Sequence, residues 1–329
     1  MEYKIVYAIV NGPQNTRFLL QDEEQGYHSV KLPKDKYKIG DTVSGDGIAV
    51  EPADERWVHD YENKPGYPHK EMLKHLVKYK KEVLGDLECG QWSDVPYEHI
   101  FVSPDRNLIS GPYEKELLGW IRRIKEKGEL REDFCHMTSS QAFAVNFFTP
   151  LINEKKLSVL GGFCGGVDYD ACDFEVEKDK AEETQFDFYM PGLPGHPTVS
   201  VEVKYSEKDF GKPSIVTAKH RWKYEHIYEP GLMKIALAKV DESQLFEYYQ
   251  IWRNILYIVA NPGQHICFLF PAFRADLNRP LEYILSLCKQ EIRPYVHVIN
   301  ADTVVDAMIT EGGTLGEYYR EFKRKYLDF

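Results

Sequence analysis

The sequence contains no paired cysteine motif, no long apolar run and no repeated or low-complexity segment. Its six cysteines are scattered over 329 residues, and none has the Cys-x-x-Cys spacing that structural zinc sites use. We therefore expect reduced, mostly buried thiols. The longest apolar runs, such as 255–260 and 266–270, are too short to cross a bilayer, which needs about 20 residues. Because the first residues also lack the apolar segment of a secretory signal, we expect a cytoplasmic protein that does not contact a membrane.

The sequence also has no excess of basic residues. Its 52 acidic and 41 basic residues give a formal net charge of −11, which counts against a surface that is covered by nucleic acid over its whole area. A local basic groove or a bound metal ion could still supply phosphate contacts. The glycine-rich segment 161–166 is not a phosphate-binding loop, because it lacks the Lys-Ser/Thr ending and the helix that follows such loops.

Two segments near the middle of the chain alternate polar and apolar residues. This period of two, in 186–190 (FDFYM) and 200–205 (SVEVKY), predicts two strands. The Pro- and Gly-rich segment 191–197 between them predicts a hairpin turn. Glu202 and Lys204 are two residues apart and therefore project from the same face of their strand, where charged side chains are costly to bury unless they are paired.

Three charged residues of this hairpin predict a metal site. Asp187 and Glu202, on adjacent strands, supply the carboxylate oxygens that hard divalent cations prefer. Lys204 would orient or deprotonate a water at such a cation and stabilise negative charge on a phosphate. The alternative is that both acids only pair with Lys204 or Arg253 across the sheet, with Lys204 extending to solvent at the sheet edge.

An Asp, a hairpin and then Glu-x-Lys on the next strand resemble the active-site motif of the PD-(D/E)xK, or restriction-endonuclease-like, nuclease superfamily. Segments 138–148 (TSSQAFAVNFF) and 249–254 (YQIWRN) resemble the SSQA helix and the Gln-containing helix of an uncharacterised bacterial branch of these nucleases. The resemblance covers about residues 95–300 and does not extend to the N-terminal segment. It implies an α/β fold with the core order α-β-β-β-α-β, in which helices flank a mixed sheet.

The resemblance further implies a nuclease that depends on Mg²⁺ or Mn²⁺ and hydrolyses phosphodiester bonds of nucleic acid, with DNA as the expected substrate. It assigns catalytic roles to Asp187, Glu202, Lys204 and Gln250. The metal ligands that it implies are Asp187, Glu202 and the backbone carbonyl of Val203.

Three further residues receive accessory roles. Gln141 stands where many relatives have a helical Glu, so one possible metal ligand is neutral here, which favours a single metal ion. Glu175, on the preceding strand, is either an extra acid or a solvent-facing residue. Arg253 shares a helix face with Gln250 and contacts phosphate or pairs with an acid, whereas the alternative for Gln250 is a role in helix packing.

Composition and periodicity divide the chain into three regions. Short strands separated by turns over 1–55 predict a small β-barrel of the OB or SH3-like type, whose aromatic residues form its core or stack on nucleic acid bases. Residues 56–135 are predicted to form a linker and a helical region, and 136–329 a nuclease-like core with a C-terminal helical extension. Within that core we expect a helix at 141–148 that stops before Pro150, a long loop at 206–230 and a helix at 242–259.

Two other classes of function remain open at this point. The first is a non-catalytic nucleic-acid-binding protein that retains the nuclease fold. The second is an acidic interaction protein whose barrel binds another protein. A homodimer is also compatible with the sequence.

Overall fold

The structure, a computed structural model, describes residues 2–11, 15–24, 26–33, 36–37, 41–54, 58, 69–179, 184–213 and 215–329. The chain forms two compact units that divide between residues 67 and 68, whereas composition placed the first boundary at 55. Most of the predicted linker lies outside the described residues. We describe each unit separately.

The described part of the first unit is one antiparallel sheet with the strand order β4-β1-β2-β3-β5. Its strands are β1 (Glu2–Asn11), β2 (Asn15–Gln21), β3 (Tyr27–Pro33), β4 (Thr42–Ser44) and β5 (Glu51–Pro52). Strands β4 and β5 lie at opposite edges, and among the described residues neither pairs with the other. The structure therefore shows an open sheet in place of the predicted barrel. Closing a barrel requires tilted strands with staggered pairing, and edge strands of three and two residues offer little to pair.

The second unit contains a two-stranded hairpin, a five-stranded central sheet and helices on both faces of that sheet. The hairpin is β6 (Gly90–Trp92) and β7 (Val95–Tyr97), and the sheet contains β8 (Asp173–Asp179), β9 (Thr184–Met190), β10 (Thr198–Val203), β11 (Gln264–Phe270) and β12 (Val296–Asn300). The helices are α1 (His69–Glu82), α2 (Glu114–Glu126), α3 (Ser140–Asn153), α4 (Ala218–Lys223), α5 (Glu229–Ile235), α6 (Glu242–Glu247), α7 (Tyr249–Ala260), α8 (Asn278–Leu287), α9 (Ala301–Glu311) and α10 (Gly313–Tyr326).

The central sheet has the strand order β12-β11-β10-β9-β8 and is mixed. Strands β8, β9 and β10 are antiparallel neighbours, whereas β10, β11 and β12 run parallel. A chain that returns to a parallel position must cross over the sheet, and α4 to α7 lie in the connection from β10 to β11. The predicted α/β class is confirmed.

Strand β11 shows why both faces of the sheet are covered. Cys267 and Leu269 pack into one hydrophobic cluster, with residues of α3 and α10. The alternate residues Ile266 and Phe268 pack into a second cluster, with residues of α7 and α8. A continuous apolar run is typical of a strand that is buried on both sides. The cysteines behave as predicted, since all six are free and four are buried.

Helix α3 continues past Pro150, contrary to the sequence prediction. A proline inside a helix leaves the carbonyl four residues earlier without its N–H donor, which here is the carbonyl of Asn146. The hydroxyl of Tyr318 on α10 donates to that oxygen at 3.0 Å. Tertiary packing therefore supplies the missing hydrogen bond, and the helix extends to Asn153.

Two other predictions about helices are wrong. The predicted loop 206–230 contains α4, a π-helical turn at Tyr224–Tyr228 and the start of α5. Helix α4 begins there because Thr217 and His220 form a reciprocal cap. The predicted helix 242–259 is two helices, since Tyr248 has non-helical φ −119° and ψ 38° between α6 and α7. In the described ranges no helix is long and apolar enough to cross a membrane.

Lys325 on α10 is a buried lysine that should make stability depend on pH. Its Nζ donates to the carbonyl of Asn107 at 2.7 Å and to the Asn107 side-chain oxygen at 3.0 Å. Burial lowers the pKa of Lys325 to about 7, although Glu321 opposes this shift. An unfolded lysine has a pKa of about 10.4, so the unfolded chain binds the extra proton between these values.

We therefore expect the free energy of unfolding to be highest above the unfolded pKa of Lys325 and to decrease as the pH falls towards 7. Between pH 9 and pH 7 the free energy of unfolding of the wild type should fall by about 2–3 kcal/mol relative to Lys325→Met. Denaturant unfolding followed by tryptophan fluorescence at both pH values measures this difference. Parallel pH curves for the two proteins would contradict the prediction.

Candidate functional site

Three acidic side chains, Glu175, Asp187 and Glu202, lie side by side on consecutive strands of the central sheet. We call this cluster the acid site. The pairing of β8 with β9 puts Glu175 opposite Asp187. The pairing of β9 with β10, continued by one residue pair, puts Glu202 opposite Asp187. All three are buried, with relative exposures of 3%, 7% and 3% in chain order. Buried carboxylates need hydrogen bonds or cationic partners.

Glu202 is held by the two residues that the sequence assigns with it to catalysis. Its Oε1 accepts a hydrogen bond from Nε2 of Gln250 at 2.7 Å and lies 2.9 Å from Nζ of Lys204. Nδ2 of Asn254, one turn further along α7, lies 3.4 Å from its other oxygen. The structure thus brings Glu202, Lys204 and Gln250 together, and it adds Asn254, which the sequence analysis missed.

Asp187 is tied to the end of β10. Its Oδ2 accepts a hydrogen bond from the backbone N–H of Val203 at 2.6 Å. This contact uses the amide of Val203, and the proposed role of the Val203 carbonyl stays a prediction. The other oxygen, Oδ1, lies 3.5 Å from the guanidinium of Arg131. Arg131 is a second residue that sequence reasoning missed, because it lies outside every recognised motif.

Gln141, near the start of α3, fixes Glu175 and the segment before the helix. Its Nε2 donates to Glu175 Oε1 at 2.8 Å and to the carbonyl of Glu129 at 2.9 Å. Its Oε1 accepts from the backbone N–H of Arg131 at 3.0 Å. The amide is therefore fully engaged in positioning its neighbours. Glu175 has a backbone φ of +49°, which is uncommon outside glycine and costs about 1–3 kcal/mol.

The two serines before Gln141 have separate tasks. Ser139 caps α3 by accepting from the N–H of Ala142 at 3.4 Å. Ser140 donates its hydroxyl to Glu207 at 2.6 Å and accepts from the backbone N–H of Tyr205 at 3.1 Å. The start of α3 therefore holds both sides of the acid site, through Gln141 on the Glu175 side and Ser140 on the Lys204 side.

The electrostatics of the site show an excess of negative charge. Burial, followed by Glu202 and Glu175, raises the pKa of Asp187 well above its usual range. Burial also raises the pKa of Glu175, against the opposing effects of Arg131 and Gln141. The pKa of Lys204 is lowered by burial, but Glu202, Glu207 and Asp187 raise it more, so the net shift is upward and the lysine is charged.

This donor set fits a hard divalent cation. Among the described residues no group of three or more His, Cys, Asp or Glu side chains could hold a metal ion by itself. A site made of Asp187 and Glu202 would therefore need backbone or water oxygens as well, which Mg²⁺ commonly uses. Glu175 Oε2 is buried and accepts no hydrogen bond from the described residues, which calls for a further partner. A bound cation would also offset the burial and the neighbouring negative charges that raise the pKa of Asp187.

Gln250 also lines an open groove of about 590 Å³. Arg253 lies in the same groove, with its guanidinium 5.7 Å from the ring centre of Tyr249. Its Nε is buried without a hydrogen-bond partner, and in the described ranges Arg253 forms no ion pair with Asp187 or Glu202. Among the described residues that line the groove none is acidic, and the charged or aromatic ones are Phe210, Lys212, His220, Tyr249 and Arg253. Lys212 pairs with Glu247 at 2.7 Å.

A family model described as "Restriction Endonuclease associating with ARP" (REase-ARP) matches residues 72–327. The chain belongs to this family. The REase-ARP match contains every residue of the acid site and confirms the predicted restriction-endonuclease-like family. It does not extend to the first unit. The finer assignments, to the PD-(D/E)xK superfamily and to a branch with an SSQA helix, stay predictions. No curated protein and no solved structure matches the chain.

Proposed function

We propose that this protein is a metal-dependent nuclease that hydrolyses phosphodiester bonds of nucleic acid, with DNA as the expected substrate. The observation that carries the proposal is Glu202, which is held between Lys204 and Gln250 on the strand next to Asp187. Membership in the REase-ARP family supports it. The family description also names an association with ARP, and we extend this association to the present chain as part of the proposal.

The order of elements supports a PD-(D/E)xK core. Helix α3, strands β8 to β10, helix α7 and strand β11 occur in the order α-β-β-β-α-β, with α4 to α6 inserted between β10 and α7. The motif residues occupy the corresponding places, with Asp187 on β9 and Glu202 on β10. We propose on this basis that the second unit has the restriction-endonuclease-like fold.

We propose that Asp187, Glu202 and the carbonyl of Val203 hold Mg²⁺ or Mn²⁺. A bound divalent cation would supply a more acidic water and neutralise charge that develops on the phosphate. Lys204 keeps its proton beside Glu202 and offers an ammonium to the scissile phosphate. Gln250 holds Glu202 in position from α7, and Glu175 adds negative charge from the far strand.

The groove beside Gln250 is the proposed path of the nucleic acid. In the part of the chain that the structure describes, its lining carries basic side chains and no acid, although the whole chain has a net charge of −11. Arg253 lines this groove, and a guanidinium is well suited to bind phosphate oxygens. Tyr249 and Phe210 provide aromatic surface of the kind on which bases stack.

Cleavage assays with a matched pair of variants test this function. We expect the wild type to cleave DNA with Mg²⁺ or Mn²⁺ and not with EDTA. Asp187→Asn should lower the cleavage rate by about 10²–10³-fold, because an amide is a poorer ligand than a carboxylate but can still accept the hydrogen bond from Val203. Gel electrophoresis of labelled single- and double-stranded substrates, DNA and RNA, gives the rates.

Asp306→Asn is the matched control, since Asp306 lies on α9 and pairs with Lys323 at 2.7 Å, in a segment that contributes no residue to the proposed site. It should cleave like the wild type. A wild type that binds these substrates and cleaves none of them with either metal would favour the non-catalytic nucleic-acid-binding protein instead.

A further inference from the structure

We propose that Arg131 is an internal counter-ion of the acid site. Its guanidinium occupies the site in the absence of a metal ion and must move away when a divalent cation binds. This inference rests on the proposed metal site and adds a residue that neither the sequence motif nor the family match assigns. It predicts that the arginine weakens metal binding, whereas a residue that merely supported the site would strengthen it.

The guanidinium of Arg131 bridges acids from two strands. Its Nη2 lies 3.5 Å from Oδ1 of Asp187 and 3.6 Å from Oε2 of Glu175. Both distances exceed those of a good charge-assisted hydrogen bond, which run near 2.7–2.9 Å. Glu175 Oε2 accordingly has no hydrogen-bond partner among the residues that the structure describes. The guanidinium neutralises these two carboxylates without being locked onto either one.

Arg131 is anchored at its backbone and open at its tip. The backbone N–H donates to Oε1 of Gln141 at 3.0 Å. The side chain is 47% exposed, whereas the side chains of Glu175 and Asp187 are 1% and 8% exposed. A long side chain with this anchoring can swing outward by rotation about its own bonds, so the chain around Gln141 need not move.

The charges of the site explain why the arginine would have to leave. Lys204 is committed to Glu202 at 2.9 Å, which leaves Arg131 as the cation paired with Asp187 and Glu175. A divalent cation bound to Asp187 would bring two positive charges next to the guanidinium. Like charges at such distances in a buried site repel strongly, so cation and guanidinium compete for the same acids.

Calorimetric titration with MnCl₂ tests the competition without any nucleic acid. Arg131→Gln should bind Mn²⁺ about tenfold more tightly than the wild type, within the range by which residues around metal ligands change affinity. Arg131→Lys keeps a positive charge and should stay close to the wild type.

Arg106→Gln is a closely matched control. Arg106 is 43% exposed and bridges two acids, at 3.1 Å from Asp86 and 2.8 Å from Glu88, on another part of the second unit. Its replacement should leave Mn²⁺ affinity unchanged. Circular dichroism of each variant verifies that the fold is retained.

Unchanged or weaker Mn²⁺ binding by a folded Arg131→Gln would overturn the inference, and so would the absence of binding by both proteins. Detectable Mn²⁺ binding by Arg131→Gln, together with no detectable binding by the wild type, would support the inference. Mn²⁺ binding that follows the expected order, in a protein that cleaves no nucleic acid, would refute the proposed nuclease function and leave the role of Arg131 standing.

Discussion

Lys204→Ala is expected to remove nucleic acid cleavage while the protein continues to bind metal. Lys204 is buried, with Nζ 2.9 Å from Glu202, and it is the one positively charged side chain among the four residues assigned to catalysis. Loss of one such stabilising group typically costs about 10²–10³-fold in rate. Asp187 and Glu202 remain to hold the cation, and removal of a positive charge beside them does not weaken that attraction.

Two measurements on the same sample separate catalysis from binding. The cleavage rate should collapse in Lys204→Ala, whereas Mn²⁺ should still raise its melting temperature, because a ligand selective for the native state stabilises it by mass action. Asp187→Asn should lose both the cleavage activity and the Mn²⁺-induced rise in melting temperature.

Lys156→Ala is the control for the loss of a lysine. It removes a half-exposed lysine that pairs with Glu311 at 2.5 Å, far along the chain from the motif. It should keep both the activity and the thermal shift. Equal cleavage by Lys204→Ala and the wild type would show that the activity arises elsewhere and that the assigned site is wrong.

Arg274→Met is expected to have the largest effect on stability. Arg274 is 0% exposed, and its guanidinium pairs with both oxygens of Asp276 at 3.0 Å. It also donates to the carbonyls of Tyr205 and Lys208 at 3.3 Å. Asp276 is 17% exposed, so the main cost of the substitution is the loss of these hydrogen bonds. Each buried acceptor left unpaired costs about 1–3 kcal/mol, and we expect a total loss of about 3 kcal/mol.

The consequences should extend to activity, since these carbonyls belong to the segment directly after Lys204. Denaturant unfolding measures the stability, and cleavage at a temperature where Arg274→Met is still folded measures the activity. Arg320→Met, at an exposed position on α10, should change stability by less than about 0.5 kcal/mol. An equally small change for Arg274→Met would show that the buried pair contributes little net stability.

The central hairpin illustrates what local sequence predicts well. Strands at 186–190 and 200–205 follow from alternation, and the observed strands are Thr184–Met190 and Thr198–Val203. The same alternation predicted that Glu202 and Lys204 share a face, and they lie 2.9 Å apart. These predictions work because the period of a strand is set by its own backbone.

Predictions failed where distant residues decide the outcome. Helix α3 passes Pro150 because Tyr318, 168 positions later in the chain (318 − 150), satisfies the freed carbonyl of Asn146. The pattern of N-terminal strands predicted a barrel. Closure of a barrel, however, depends on pairing between the two edge strands, which strand patterns do not specify.

The sequence by itself determined that this chain has an α/β core with two acids and a lysine on neighbouring strands, because strand periodicity and a turn of Pro and Gly are local properties. Only the tertiary structure decided how those acids are held. Arg131, Gln141 and Glu175 come from a loop, a helix and a strand, and no spacing in the sequence relates them. Their contacts depend on the packing of α3 against the sheet. This packing buries the acids and thereby strengthens the interaction of each charge with its neighbours.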